Sequence, residues 1–260
     1  MPDPTSSPAP GRPDPSGRPG VANFLAEFER TAAELAAAFA DVDPAATVPS
    51  CPGWTVADLA AHMVSGERWA ASILLSGKRQ SVPAVLRTTS WSDQYAGTSA
   101  VLAAAIRAVD PDEPCWNFAP VDQRAGFWSR RRLHETTIHL ADAIQAGGGV
   151  AVIPPGVAAD GIDEVFGVFL PRLLARGAAP AVETQLGVRA VDTGHEWTLT
   201  PAEPGEPPAI DRAKATGVAV ISGTASDLNL CLWKRLPATT LTIEGDTTAA
   251  LAFLAGRATP

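Results

Sequence analysis

The chain has 260 residues, 46% hydrophobic and 18% charged, with a formal net charge of −8. That length can bury a real core in one large or two modest domains, and the composition excludes general disorder. The acidic balance opposes nucleic-acid phosphates, and no apolar run approaches the roughly 20 residues of a membrane span.

Residues 1–20, MPDPTSSPAPGRPDPSGRPG, are rich in Pro, Gly and Ser and lack the apolar middle of a secretory signal. They read as a flexible tail. From 21 to 147 the chain is rich in Ala and Leu with helical periodicity. The first helix carries a stripe of Phe24, Leu25, Phe28, Leu35 and Phe39. The second follows the Pro-Gly turn of CPGWT, and Thr55 with Asp58 three residues on forms a capping-box-like start. A third is expected over 90–109 and a fourth over 127–146. Four such helices predict an antiparallel four-helix bundle.

Gly147, Gly148 and Gly149 close this unit. A fifth helix is expected near 157–175. Beyond it VETQLGVRAVD, HEWTLTPAE, GVAVISGT and TTLTIEG are short and β-branched, so they predict strands. ASDLNLCLWKRL and TTAALAFLAG are read as helices, and 201–208 as a hairpin loop. Residues 148–260 are thus expected to form a small α+β domain. Cys51, Cys115 and Cys231 are widely spaced and odd in number, which suits reduced thiols and a cytoplasmic setting.

The chemistry concentrates in RRRLHETTIHLADA, residues 130–143. The metalloprotease pattern H-E-x-x-H fails here, because the position four after His134 is Ile138. Glu135 and His139, at i and i+4, share a helix face instead. His62, on the second helix, flanks the apolar stripe of Leu59, Met63 and Ala70. In a bundle, His62, Glu135 and His139 could meet and hold a metal through two nitrogens and an oxygen. Their spacing equally allows a core histidine and a surface Glu–His pair. His195 falls in a turn, and His134 points away from Glu135 around the helix.

CPGWTVADLAAHM followed by WSRRRLHETTIHLADA resembles the mycothiol-dependent maleylpyruvate isomerase family. The matches are Pro52, Gly53, Trp54, Thr55 and His62, then His134, Glu135, His139, Asp142 and Ala143. The resemblance implies an N-terminal four-helix DinB-like bundle followed by a small sterol-carrier-protein-like α+β domain. It places the zinc ligands on His62, Glu135 and His139, a cage that manganese, iron or nickel could also fill. GTASDLNLCLWKRLP resembles a segment of the family's second domain and puts a catalytic arginine at Arg235. The implied co-substrate is mycothiol, a low-molecular-weight thiol, and the implied substrate a small electrophile.

The expected activity is therefore thiol-dependent isomerisation or transfer, with Arg235 clamping a carboxylate or a developing enolate. A hydrolase using metal-bound water, and a binding or regulatory protein holding metal for folding alone, are the alternatives. Asp142 reads as a structural pairing partner or a support for His139. Arg130, Arg131 and Arg132 read as a solvated face, Trp54 and Trp128 as bundle packing. Cys51 and Cys115 lack the spacing of a ligand or a nucleophile. The electrophile, the metal and the oligomeric state have no signature in the residues.

Overall fold

The computed structural model describes residues 23–85, 90–178, 182–203 and 206–260. The Pro-rich tail lies outside the described residues. Four helices come first: α1 (Phe24–Asp41), α2 (Val56–Ser76), α3 (Trp91–Ala108) and α4 (Gly126–Ala146). The predicted stripe of α1 is its buried edge, with Phe28, Leu35 and Phe39 inside and Phe24 and Leu25 packed against the core.

The Thr55 start of α2 is a true capping box. Asp58 N–H donates to Thr55 Oγ1, and Thr55 N–H donates to the Asp58 carboxylate. Before it the chain folds back on itself, with Thr47 bridging Thr55, and Gly53 takes a φ of +84° in the turn. Glycine meets that left-handed requirement without strain. The main packed pairs in the bundle are α1 with α3 and α4, and α2 with α3 and α4. This arrangement sets α2 beside α4, the two helices that carry the candidate ligands.

A long helical segment comes next: α5 (Pro155–Glu164), a wide π turn (Val165–Phe169) and α6 (Leu170–Leu174). The expected single helix is thus interrupted. Pro171 explains the interruption, because its ring clashes with a carbonyl four residues back and it has no N–H to donate. The helix widens instead, and Leu170 N–H reaches Val165 O.

The sheet comprises β1 (Leu186–Ala190), β2 (Glu196–Thr200), β3 (Ala209–Asp211), β4 (Ala219–Gly223) and β5 (Thr242–Gly245), in the order β3-β2-β1-β4-β5. Only β1 and β4 pair in parallel. The four expected strands are present. The three-residue β3, too short to leave a periodic signal, is an addition. Helices α7 (Ala225–Leu232) and α8 (Thr247–Ala255) pack on β4, and α7 also packs on α5. The apolar core runs from Phe28 and Met63 in the bundle to Phe166, Trp197 and Ile221 in the second half, and charged groups such as Glu67, Arg132 and Asp142 are buried beside it.

Candidate metal centre and its cavity

α2 and α4 bring the three expected ligands together. The donor atoms of His62, Glu135 and His139 all lie within 4.8 Å of one another. Glu135 Oε1 is 3.2 Å from His62 Nε2 and 3.5 Å from His139 Nε2. The site grades from an exposed His62 to a buried His139.

The surroundings orient these groups. His139 Nδ1 lies 2.8 Å from Asp142 Oδ2, one turn along α4. A ring that donates from Nδ1 to a carboxylate turns the Nε2 lone pair to the site, the usual support of a metal-binding histidine. Asp142 is in turn gripped by Arg235, whose Nε and Nη2 each donate at 2.8 Å. Ser50 Oγ donates to the same carboxylate. Glu135 Oε2 accepts from Arg131, whose other arm bonds Glu164.

The electrostatics favour a cation. Burial alone would raise the Glu135 carboxyl, but Arg131, His139 and His62 hold it well below its ordinary range. Burial also opposes a charged His139, yet Asp142 and Glu135 raise its pKa above the ordinary imidazole value. The carboxylates that favour a proton there favour any cation. With Nδ1 of His139 committed to Asp142, its unprotonated Nε2 would face Glu135 Oε1 as acceptor to acceptor. A divalent ion resolves that opposition, so the donor set fits the metal the resemblance implies.

The centre opens into a cavity of about 610 Å³. Trp54, Trp69, Phe118, Trp128, Phe169 and Trp233 form much of its wall, and Arg131, Arg132, Arg172, Arg176 and Arg235 add charge. Trp54 and Trp128 therefore line the cavity as well as packing the bundle; Trp128 is fully buried and meets Trp69 edge to face at 5.3 Å. Cys51 also lines it, with its thiol 3.6 Å from Arg235 Nη2, whereas burial and nearby Asp142 push that thiol's pKa up. A thiol so held is a poor nucleophile.

One expectation needs correction. The arginines opening α4 do not form a solvated face: the side chains of Arg131 and Arg132 are only 2% and 5% exposed. Arg132 meets Glu67 through two 3.0 Å bonds, with room left by Gly66, where a Cβ would stand 3.0 Å from the guanidinium. Arg235 lines the cavity, where Asp142 holds it through Nε and Nη2. His134, shared with the family pattern, turns away from the centre. Its Nε2 is 2.6 Å from Asp160 on α5, which Arg130 also binds at 2.6 Å.

Burial would raise the Asp160 carboxyl, but His134 and Arg130 hold it below its ordinary value. A depressed carboxyl stabilises the fold above its unfolded pKa of about 3.9, and that contribution is lost as pH falls through the folded value. Asp160→Asn is expected to melt well below wild type at pH 7, with the gap closing towards pH 3. Parallel melting curves of the two proteins from pH 7 to 3 would refute this.

The sequence matches two family models. Mycothiol maleylpyruvate isomerase N-terminal domain covers residues 24–144, and MDMPI C-terminal domain covers 156–252. No curated protein matches. Among solved structures, the chain is similar to the crystal structure of the mycothiol-dependent maleylpyruvate isomerase, at 17% identity and a TM-score of 0.56. That match covers 85% of this chain and 91% of the other. A histidine-to-alanine mutant of that isomerase matches over the same shares, with 16% identity and a TM-score of 0.56. No helix among the described residues is long and apolar enough to cross a membrane.

Proposed function

Because the chain belongs to the mycothiol-dependent maleylpyruvate isomerase family, an enzyme family, we propose that it activates mycothiol as a thiolate for addition to a small electrophilic metabolite. The observation that carries this reading is the convergence of His62, Glu135 and His139 at the wall of one aromatic cavity, with His139 oriented by Asp142. We assign these three as ligands of a divalent ion, zinc being the one that two imidazoles and a carboxylate suit. Bound there, the ion supplies the positive charge that keeps a thiol in its thiolate form at neutral pH.

The chain's own residues do the rest. Glu135 is kept ionised by Arg131, so it is ready to bind a cation at any physiological pH. Asp142 holds the proton on His139 Nδ1 and keeps Nε2 towards the site. Arg235 fixes Asp142 from the second half of the chain, so we assign it a positioning role. The aromatic side chains give the cavity wall a largely apolar surface beside the site. The thiolate sulfur forms a bond to the terminal carbon of a conjugated double bond, whose π pair moves onto the conjugated carbonyl oxygen as an enolate. Rotation about the resulting single bond and expulsion of the thiolate as the enolate collapses gives an isomerase; protonation of the enolate carbon from solvent, with the thioether retained, gives a transferase.

This reading divides the chain into a tail at 1–20, a metal-binding bundle at 21–147 and an α+β unit at 148–260. It also sets the protein in the cytoplasm, a place the three free cysteines fit.

Calorimetric titration of the metal-loaded protein with mycothiol tests the proposal. Free mycothiol should bind at least about tenfold more tightly than its S-methyl derivative, a difference of roughly 1.4 kcal/mol. Glu135→Gln should abolish that difference. Equal affinities in the wild type, or turnover that needs only water, would overturn the proposal.

A further inference from the structure

Five arginines line the cavity, and their surroundings divide them into two groups. Arg131 bonds Glu135 and Glu164, Arg132 bonds Glu67, and Arg235 bonds Asp142. Each of these is neutralised and none has a fork free for a ligand. Arg235 is the fullest case, since its third nitrogen, Nη1, donates to Trp233 O at 2.7 Å. Arg172 and Arg176 differ. Among the described residues neither pairs with a carboxylate. Arg172 donates to Phe118 O at 3.1 Å and stacks over the Phe118 ring at 4.6 Å.

We infer that Arg172 and Arg176 form an anion-binding subsite of this cavity, which takes a carboxylate carried by the electrophilic substrate. The identity of the ligand rests on the proposed function, whereas the presence of the subsite does not. Its geometric basis is the place of the two side chains on one cavity wall. Arg172 lies in α6 and Arg176 in the turn that follows it, and both line the cavity. Burial first, then the charges of Arg176 and Arg79, make Arg172 harder to protonate than usual. The negative end of the helix dipole offsets only part of this. In a chain of net charge −8, a cavity lined by a half-buried Arg172 and an exposed Arg176, neither paired with a carboxylate among the described residues, is placed to bind an anion.

The Phe118 ring strengthens the case. Stacking on an aromatic face fixes a guanidinium plane while leaving its N–H edge available. That is the preorganisation a bidentate carboxylate contact needs. The π turn contributes as well, because one extra residue rotates the rest of the helix by about 100°. Phe169, Arg172 and Arg176 all lie on or after it and all line the cavity.

Titration with succinate and with dimethyl succinate, read by tryptophan fluorescence, tests the subsite. Trp69, Trp128 and Trp233 line the same cavity and report on its occupant. The protein is used both metal-loaded and metal-stripped, so that a carboxylate on the metal is told apart from one on the arginines. Succinate should bind wild type in both forms, and bind Arg172→Gln/Arg176→Gln on the order of 10–100-fold more weakly. Arg172→Lys should recover part of the loss, and dimethyl succinate should bind all variants alike. Equal succinate affinity in wild type and the double variant overturns the subsite. Displacement of succinate by mycothiol overturns its assignment to the electrophile. Mycothiol that binds neither protein, with the succinate result intact, removes the proposed function and leaves the subsite standing.

Discussion

Glu67→Ala is expected to cost about 3–5 kcal/mol of stability, the usual penalty for removing one partner of a buried ion pair. Glu67 is fully buried between α2 and α4. Its carboxylate receives two bonds from Arg132 and lies 3.3 Å from the Tyr95 hydroxyl. Alanine would leave the buried Arg132 guanidinium without its counter-charge. Glu67→Leu combined with Arg132→Met should cost much less than either single change, since no charge then remains unpaired. Urea denaturation of wild type, Glu67→Ala, Glu67→Leu, Arg132→Met and the double variant checks both statements. A loss under about 1 kcal/mol for Glu67→Ala would show that the pair is solvated or dispensable.

The second large effect is expected at Asp142. Asp142→Ala should weaken metal binding by about 10–100-fold, the range seen when the carboxylate behind a ligating histidine is removed. Without Asp142, His139 loses the acceptor at Nδ1, and Glu135 then favours the proton on Nε2, the nitrogen the metal needs. Arg235→Gln should give a smaller loss of the same kind, because Arg235 acts only through Asp142. Competition with a chelating dye reads affinity directly and is independent of turnover. If Arg235→Gln destroyed turnover while leaving metal affinity untouched, Arg235 would be acting on the substrate, and its assignment as a positioning residue would be wrong.

Much of this centre was legible in the residues. The i,i+4 spacing of Glu135 and His139 put both on one face of α4, and His62 beside the apolar stripe of α2 gave the facing donor. The capping box at Thr55 and the strand segments are visible because they are local. The arginines were misjudged for a physical reason. A run of three charges at a helix start is indistinguishable in sequence from a solvated face, and only the acids on α2 and α5 show that it is buried.

One of those acids did leave a trace. Glu67 falls on the stripe of Ala60, Met63, Val64, Ala70, Ala71 and Leu74, where a lone charge calls for a partner. Arg131 stands four residues before Glu135, a second trace of the same kind. The grip of Arg235 on Asp142 spans 93 residues, and no periodicity reports a contact of that range. The cavity walls likewise come from α2, α4, the π turn, α6, the loops holding Trp54 and Phe118 and the segment after α7, so they exist only in the folded chain.

The measurement that tests the central claim most directly is metal content by elemental analysis. It is made on wild type, His62→Ala, Glu135→Ala and His139→Ala, each purified without chelators and shown to be folded. The three-residue centre predicts about one equivalent of a divalent metal in the wild type and its loss in all three variants. Metal absent from the wild type, or retained at full stoichiometry in the folded variants, would contradict it.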